Sequence, residues 1–156
     1  MTTSTLRIPT VVIQDTLFSL QEAGRRRSEG VVLWLGTRTD TDTRVVEAYV
    51  PEQEAARDYF RIHPKAMSEL VTHLGATGTF VAAQVHSHPR EAFHSLADDE
   101  WAIVRHLGAL SLVLPLFAAH TTVANFLKHV AIFSLNSENE WLEVLEPERS
   151  SCLRIQ

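Results

Sequence analysis

The sequence predicts an α/β protein, a mixed β-sheet flanked by helices, and two observations carry that expectation. Continuous apolar runs bounded by glycine, proline or polar turns interleave with stretches whose apolar residues recur at helical spacing. Hairpin-like segments stand toward both ends of the chain, which excludes a purely parallel repeat.

Taken in order, Ile13–Gly24 ("IQDTLFSLQEAG") offers Asp15 as an N-cap, apolar Leu17, Phe18 and Leu20, and Gly24 as a stop, so a first helix is expected. Gly30–Gly36 ("GVVLWLG") suits a buried strand, since no position alternates toward water. "TRTDTDT" is a polar turn, and "RVVEAYV" after it forms the second arm of a hairpin ended by Pro51. "HPKAMSELVTHLGA" places Pro64 at a first helical position, Met67, Leu70, Val71 and Leu74 on one face, and Gly75 at the exit. "GTFVAAQVHSH" is strand-like. "SLADDEWAIVRHLG" reads as a helix with Ser95 as cap, acidic residues in the first turn and Gly108 after the last. "ALSLVLPL", "KHVAIFSL" and "EWLEVLE" supply further strands.

A chain of 156 residues with no linker, repeat or low-complexity segment is expected to form a single domain spanning 1–156. Hydrophobic residues make up 45% and charged residues 21%, an ordinary soluble globular mix. A formal charge of −5 argues against a nucleic-acid partner, which would call for a basic face. The longest apolar stretch, "LVLPLFAA", is too short to span a bilayer, so no membrane association is expected. The opening "MTTSTLRIPT" lacks a signal-peptide pattern, which makes the cytoplasm the default location. The single cysteine, Cys152, excludes an internal disulfide and a multi-thiolate zinc site; "SSCLRIQ" around it reads as a polar tail.

The chemistry concentrates between Val85 and Asp99. His86 and His88, at the close of a strand, project to the same side, about 6.5–7 Å apart at Cα. Two imidazoles at that spacing converge on one ion. Pro89 then turns the chain outward. Asp98, three positions after the Ser95 cap, lies in the first helical turn, where its carboxylate supplies a third ligand. Three protein ligands with an open fourth position describe a catalytic zinc site that activates water. A closed structural site would need a fourth His or Cys, and His94 precedes the cap and would have to fold back. The plainer alternative is that Ser95 and Asp98 only cap a helix. Glu29, just before the buried strand, is the candidate base, and the alternative is a solvated residue continuing the polar "RRRSE". Arg25–Arg27 read as a solvated turn or as a grip on an acidic partner. His63, His73, His106, His120 and His129 have no ligand spacing.

"HSHPREAFHSLADD" resembles the His-x-His-Pro … Ser-x-x-Asp signature of the JAMM (JAB, MPN) metalloprotease family. "SEGVVLWLG" resembles the segment in which that family's catalytic glutamate precedes an apolar strand, and "LSLVLP" its next strand. The similarity runs from about residue 10 to 135, and the chain closely resembles the compact prokaryotic members that accompany ubiquitin-activation-like enzymes. It implies a cytidine-deaminase-like three-layer arrangement and one zinc ion held by His86, His88 and Asp98. It also implies Glu29 as general acid/base and Ser95 as oxyanion stabiliser. The commonest family spacing sets seven residues between the second histidine and the serine, whereas Pro89–His94 makes six. Counting from the serine gives Asp98, and counting from the histidine gives Asp99. Asp98 is preferred, because position relative to the cap fixes where the side chain points.

The implied activity is hydrolysis after the C-terminal glycine of a ubiquitin-like protein or its conjugates, with E1/E2-like enzymes as associates. The alternatives are a non-catalytic scaffold of the same fold or a sulfur-carrier-processing metallopeptidase. A cupin-type barrel is disfavoured by the helical segments, and cytidine-type zinc deamination by the absence of Cys-x-x-Cys. The turn "TRTDTDTR" and the segment "EAARDYFRIHP", with Tyr59 and Phe60, are the expected partner contacts.

Overall fold

The glycine-bounded run Val31–Leu35 sits near the middle of the sheet, and its uninterrupted apolar character has a simple cause. The structure, a computed structural model, describes residues 4–93 and 102–156. In it Val32 and Trp34 face one hydrophobic core while Val31, Leu33 and Leu35 face another, so both sides of the strand are covered. The described elements run β1 (Thr5–Ile8), α1 (Thr10–Arg25), β2 (Val31–Arg38), β3 (Asp42–Tyr49), β4 (Glu54–Ala55), β5 (Phe60–Arg61), α2 (Pro64–Thr77), β6 (Phe80–Ser87) and β7 (Leu110–Leu114). A one-turn helical segment (Leu116–Ala118), α3 (Phe126–His129), β8 (Ala131–Leu135), β9 (Trp141–Glu143), α4 (Glu148–Cys152) and β10 (Leu153–Ile155) follow. Among the described residues, eight strands form one sheet in the order β10-β1-β3-β2-β6-β7-β8-β9, and β4 and β5 make a separate small ribbon. β1 is parallel to both its neighbours, β6 is parallel to β7, and the other pairs are antiparallel. The expected mixed sheet is present.

α1 covers one face with Val12, Ile13, Leu17 and Leu20, which join Val32, Trp34, Val85 and Leu112 in the larger core. Each such side chain contributes about 1.5–3 kcal/mol. α2 covers the other face through Leu70, packed with Leu33, Leu35 and Phe60. Among the described residues no helix is long and apolar enough to cross a membrane.

Several boundaries differ from the sequence expectation. α1 begins at Thr10 rather than after Asp15, because the Thr10 N–H donates to the Gln156 carbonyl at 3.0 Å. The far end of the chain thus satisfies a donor that a local cap would otherwise have to meet. Phe18 is exposed. α2 runs through Gly75 and stops at Gly78, whose φ of 66° gives the left-handed C-cap, and Val71 faces solvent. The "polar tail" at Cys152 is instead α4 and β10, and the N-terminal "TLRI" is β1. Leu6, Arg7 and Ile8 pair with Leu153, Arg154 and Ile155. Residues 102–108, expected to complete a helix, are not helical. Their backbone groups are used elsewhere: the Ile103 N–H donates to Gln84 Oε1 at 2.9 Å, and the Gly108 N–H to the Leu135 carbonyl at 3.0 Å.

Candidate metal centre

Strand register creates the site. β2 and β6 are antiparallel with Val31 opposite His86. The pairing continues one step past the start of β2, where the Ser87 N–H donates to the Gly30 carbonyl at 3.1 Å and the Gly30 N–H donates to Ser87 Oγ at 3.1 Å. One further step brings Glu29 opposite His88, with Glu29 Oε1 3.9 Å from His88 Nε2. His88 lies just beyond β6 yet keeps the ladder going, its N–H donating to the Leu114 carbonyl at 2.9 Å. The strand alternation therefore holds: the His86 and His88 rings lie with centroids 5.2 Å apart, tilted 50°.

All three side chains are withdrawn from water; His86 is 0%, His88 2% and Glu29 2% exposed. That removes the solvated reading of Glu29. Its backbone is held tightly as well. The Glu29 N–H donates to the Ala56 carbonyl at 2.7 Å. Beside it the Gln53 amide acts as a substitute strand, accepting from the Val31 N–H at 2.8 Å and donating to the Val31 carbonyl at 3.1 Å. His86 is packed by Phe60 (centroids 5.4 Å apart), and His88 by the Phe93 ring, edge-on at 4.6 Å. A cavity of about 280 Å³ opens beside Glu29, lined by Ser28, Gly30, Pro51 and Gln53 among others.

The expected ligand Asp98, its alternative Asp99, Ser95 and His94 lie outside the described residues. Among the described residues no group of three His, Cys, Asp or Glu is gathered to hold a metal. What is present suits a borderline-soft cation: two buried imidazoles on one strand end, with a buried carboxylate beside the second.

The other described histidines stand apart from this cluster. His63 pairs with Glu54 at 2.7 Å, His73 with Glu47 at 2.8 Å, and His129 Nδ1 lies 3.2 Å from Thr121 Oγ1. The His63 and Tyr59 hydrogen bonds hold the Glu54 carboxyl below the usual carboxylate range. His106 leans edge-on against Phe80, and burial, with the Arg38 charge, lowers its pKa. Cys152 is buried, which raises its thiol pKa. Arg25–Arg27 are exposed, with Arg25 paired to Glu22. Phe60 is buried beside His86 rather than open to a partner, while Tyr59 is partly exposed and its hydroxyl donates to Glu54 at 3.2 Å. Ser87 and Gln53 escaped the sequence reading. A polar residue between two histidines on a buried strand end was the available signal for Ser87. Nothing local marks Gln53.

A buried His-x-His thus stands at a strand end, faced by a glutamate that precedes the neighbouring strand, in a mixed sheet with a helix on each face. Residues 17–128 match the family described as prokaryotic homologs of the JAB domain, and the chain belongs to that family. Over 144 residues it is 31% identical to y4jG of Sinorhizobium fredii, a protein named a probable metalloprotease, covering 90% of this chain and 87% of that one. A solution structure of a protein from Desulfitobacterium hafniense shares the fold with a TM-score of 0.71 at 16% identity, covering 97% of this chain and 92% of that one. A second, from Salinibacter ruber, aligns with a TM-score of 0.55 at 18% identity over 91% and 93% of the two chains.

Proposed function

We propose that the chain is a zinc-dependent peptidase or isopeptidase that cleaves after the C-terminal glycine of a ubiquitin-like protein, alongside E1/E2-like enzymes. Family membership and the relative named a probable metalloprotease support a metalloprotease-like function. The observation that carries the finer reading is the buried Glu29 carboxylate 3.9 Å from the buried His88 imidazole. A carboxylate at that distance from a buried imidazole stands where a general base beside a metal would be needed.

His86, His88 and Asp98 would hold zinc, which when bound polarises the scissile carbonyl and acidifies water. Glu29 takes the proton from the attacking water and delivers it to the leaving amine as the carbon–nitrogen bond breaks. Ser95 donates a hydrogen bond to the developing oxyanion. An extended glycine-ended tail is thin enough to approach such a recessed centre, and main-chain hydrogen bonds to a strand edge would hold it.

The test incubates the purified protein with fusions of ubiquitin-like proteins, with and without a chelator. Cleavage should occur after the terminal glycine and stop when metal is removed. Glu29→Gln should keep zinc and fold while lowering kcat by at least about a hundredfold, the scale of a lost general base. Retained cleavage by that variant would remove Glu29 from its role. Zinc content of Asp98→Ala against Asp99→Ala assigns the third ligand.

A further inference from the structure

Past β7 the backbone does something unusual for residues that carry a Cβ. Leu116, Phe117 and Ala118 adopt consecutive positive φ angles of 54°, 54° and 58°, a left-handed turn with no glycine in it. Such conformations are disfavoured for L-residues, occur as single residues rather than in runs, and persist where the surroundings enforce them. Here two sets of contacts do so.

On one side the turn grips the segment that carries the second histidine. The Phe117 N–H donates to the His88 carbonyl at 2.7 Å and the Leu116 N–H to the Arg90 carbonyl at 2.9 Å. With the His88 N–H bound to the Leu114 carbonyl, residues 88–90 are held at three points by β7 and the turn. On the other side the turn rests on α1. Gln21 Nε2 donates to the Ala118 carbonyl at 3.0 Å and to the Thr121 carbonyl at 3.1 Å. Gly24 lies so close that an added Cβ would fall 2.6 Å from Phe117 Cβ and 3.0 Å from the Phe117 carbonyl oxygen.

The same end of α1 also leads into Glu29. The Arg27 N–H donates to the Gly24 carbonyl at 2.9 Å and the Ser28 N–H to the Ala23 carbonyl at 3.1 Å, which fixes the step before the glutamate. One turn of helix is therefore the common frame for both partners of the site. From this we propose that Gln21 and Gly24 are positioning residues: acting through the left-handed turn, they set the place of His88 relative to Glu29. The role in zinc binding rests on the metal reading above, while the mechanical coupling does not.

The test uses the full chain as wild type, Gln21→Leu, Gln21→Glu, Gly24→Ala and, as a control on the same helix, Phe18→Ala, whose side chain is exposed. Amide resonances of the metal-free proteins come first. Gln21→Leu should shift the amides of Phe117, His88 and Arg90, and Gln21→Glu should shift them more, because a carboxylate would face two carbonyl oxygens. Phe18→Ala should leave them in place. Changes confined to residues 18–24 would overturn the inference, whether or not the protein binds zinc. Zinc affinity by chelator competition, at a temperature where each variant is folded, comes second. Gln21→Glu should weaken it at least tenfold with Gln21→Leu between, and a merely structural role would lower Tm with affinity within twofold of wild type. Wild type that takes up no zinc would end the metal reading and leave the amide shifts to decide the coupling. Should Gly24→Ala not fold, the two Gln21 variants still decide.

Discussion

Thr16 and Trp34 form a small polar pair inside the larger core. The Trp34 Nε1–H donates to Thr16 Oγ1 at 2.8 Å, and the Thr16 hydroxyl donates to the Val12 carbonyl at 2.7 Å, with both residues 0% exposed. Thr16→Val keeps the shape but leaves the indole N–H with no acceptor there, and should cost about 1–3 kcal/mol. Urea unfolding should report it as a lower midpoint at unchanged slope. The candidate site depends on the same kind of burial. His86 and His88 were legible in the sequence because a strand's period of two puts alternate residues on one side. Glu29 was legible as a residue type ahead of an apolar run. Its approach to His88 was not, because nothing in either segment says that β2 and β6 are neighbours or that Val31 stands opposite His86. The support from Gln53 was invisible for the same reason: its amide imitates a strand that the sequence does not contain.

At the scale of elements, two glycines make opposite demands. At Gly36, where the β2–β3 register shifts, an added Cβ would lie 2.6 Å from the Arg44 carbonyl oxygen, so backbone meets backbone. Gly36→Ala should destabilise by about 1–3 kcal/mol and hasten amide exchange along the hairpin. Gly75 lies exposed within α2 with nothing within 4 Å of an added Cβ, and Gly75→Ala should stabilise by about 0.5–1 kcal/mol. Thermal denaturation of the two variants should move in opposite directions. Helical periodicity located α2 but chose the wrong glycine as its end, because Gly75 and Gly78 look alike until φ is known. It also extended a helix over 102–108, where the Gln84 side chain captures the Ile103 N–H and the segment runs toward β8. Tertiary competition for a backbone donor overrode local pattern.

For the molecule as a whole, the sheet is legible in its centre and hidden at one edge. Long apolar runs such as β2, β6 and β7 announce themselves. β1 and β10 are four and three residues long, with two polar residues and one, and among the described residues β10 has β1 as its one strand partner. Deleting 153–156 should therefore act far beyond its length. It removes Leu153 from the core, a loss of about 1.5–3 kcal/mol by itself, bares the outer edge of β1 and uncaps α1 at Thr10. Cys152, now sealed in, should react with a thiol reagent much faster in the truncated protein, and equal labelling rates would show that β10 holds nothing in place.

The adjacency of β1 and β10 bears on how the protein is made. β1 is synthesised well before β10, so while the intervening chain is being made the outer rim of β1 is bare and the Thr10 end of α1 lacks its acceptor. Until residues 153–156 have emerged, that sticky rim is one that a chaperone would shield.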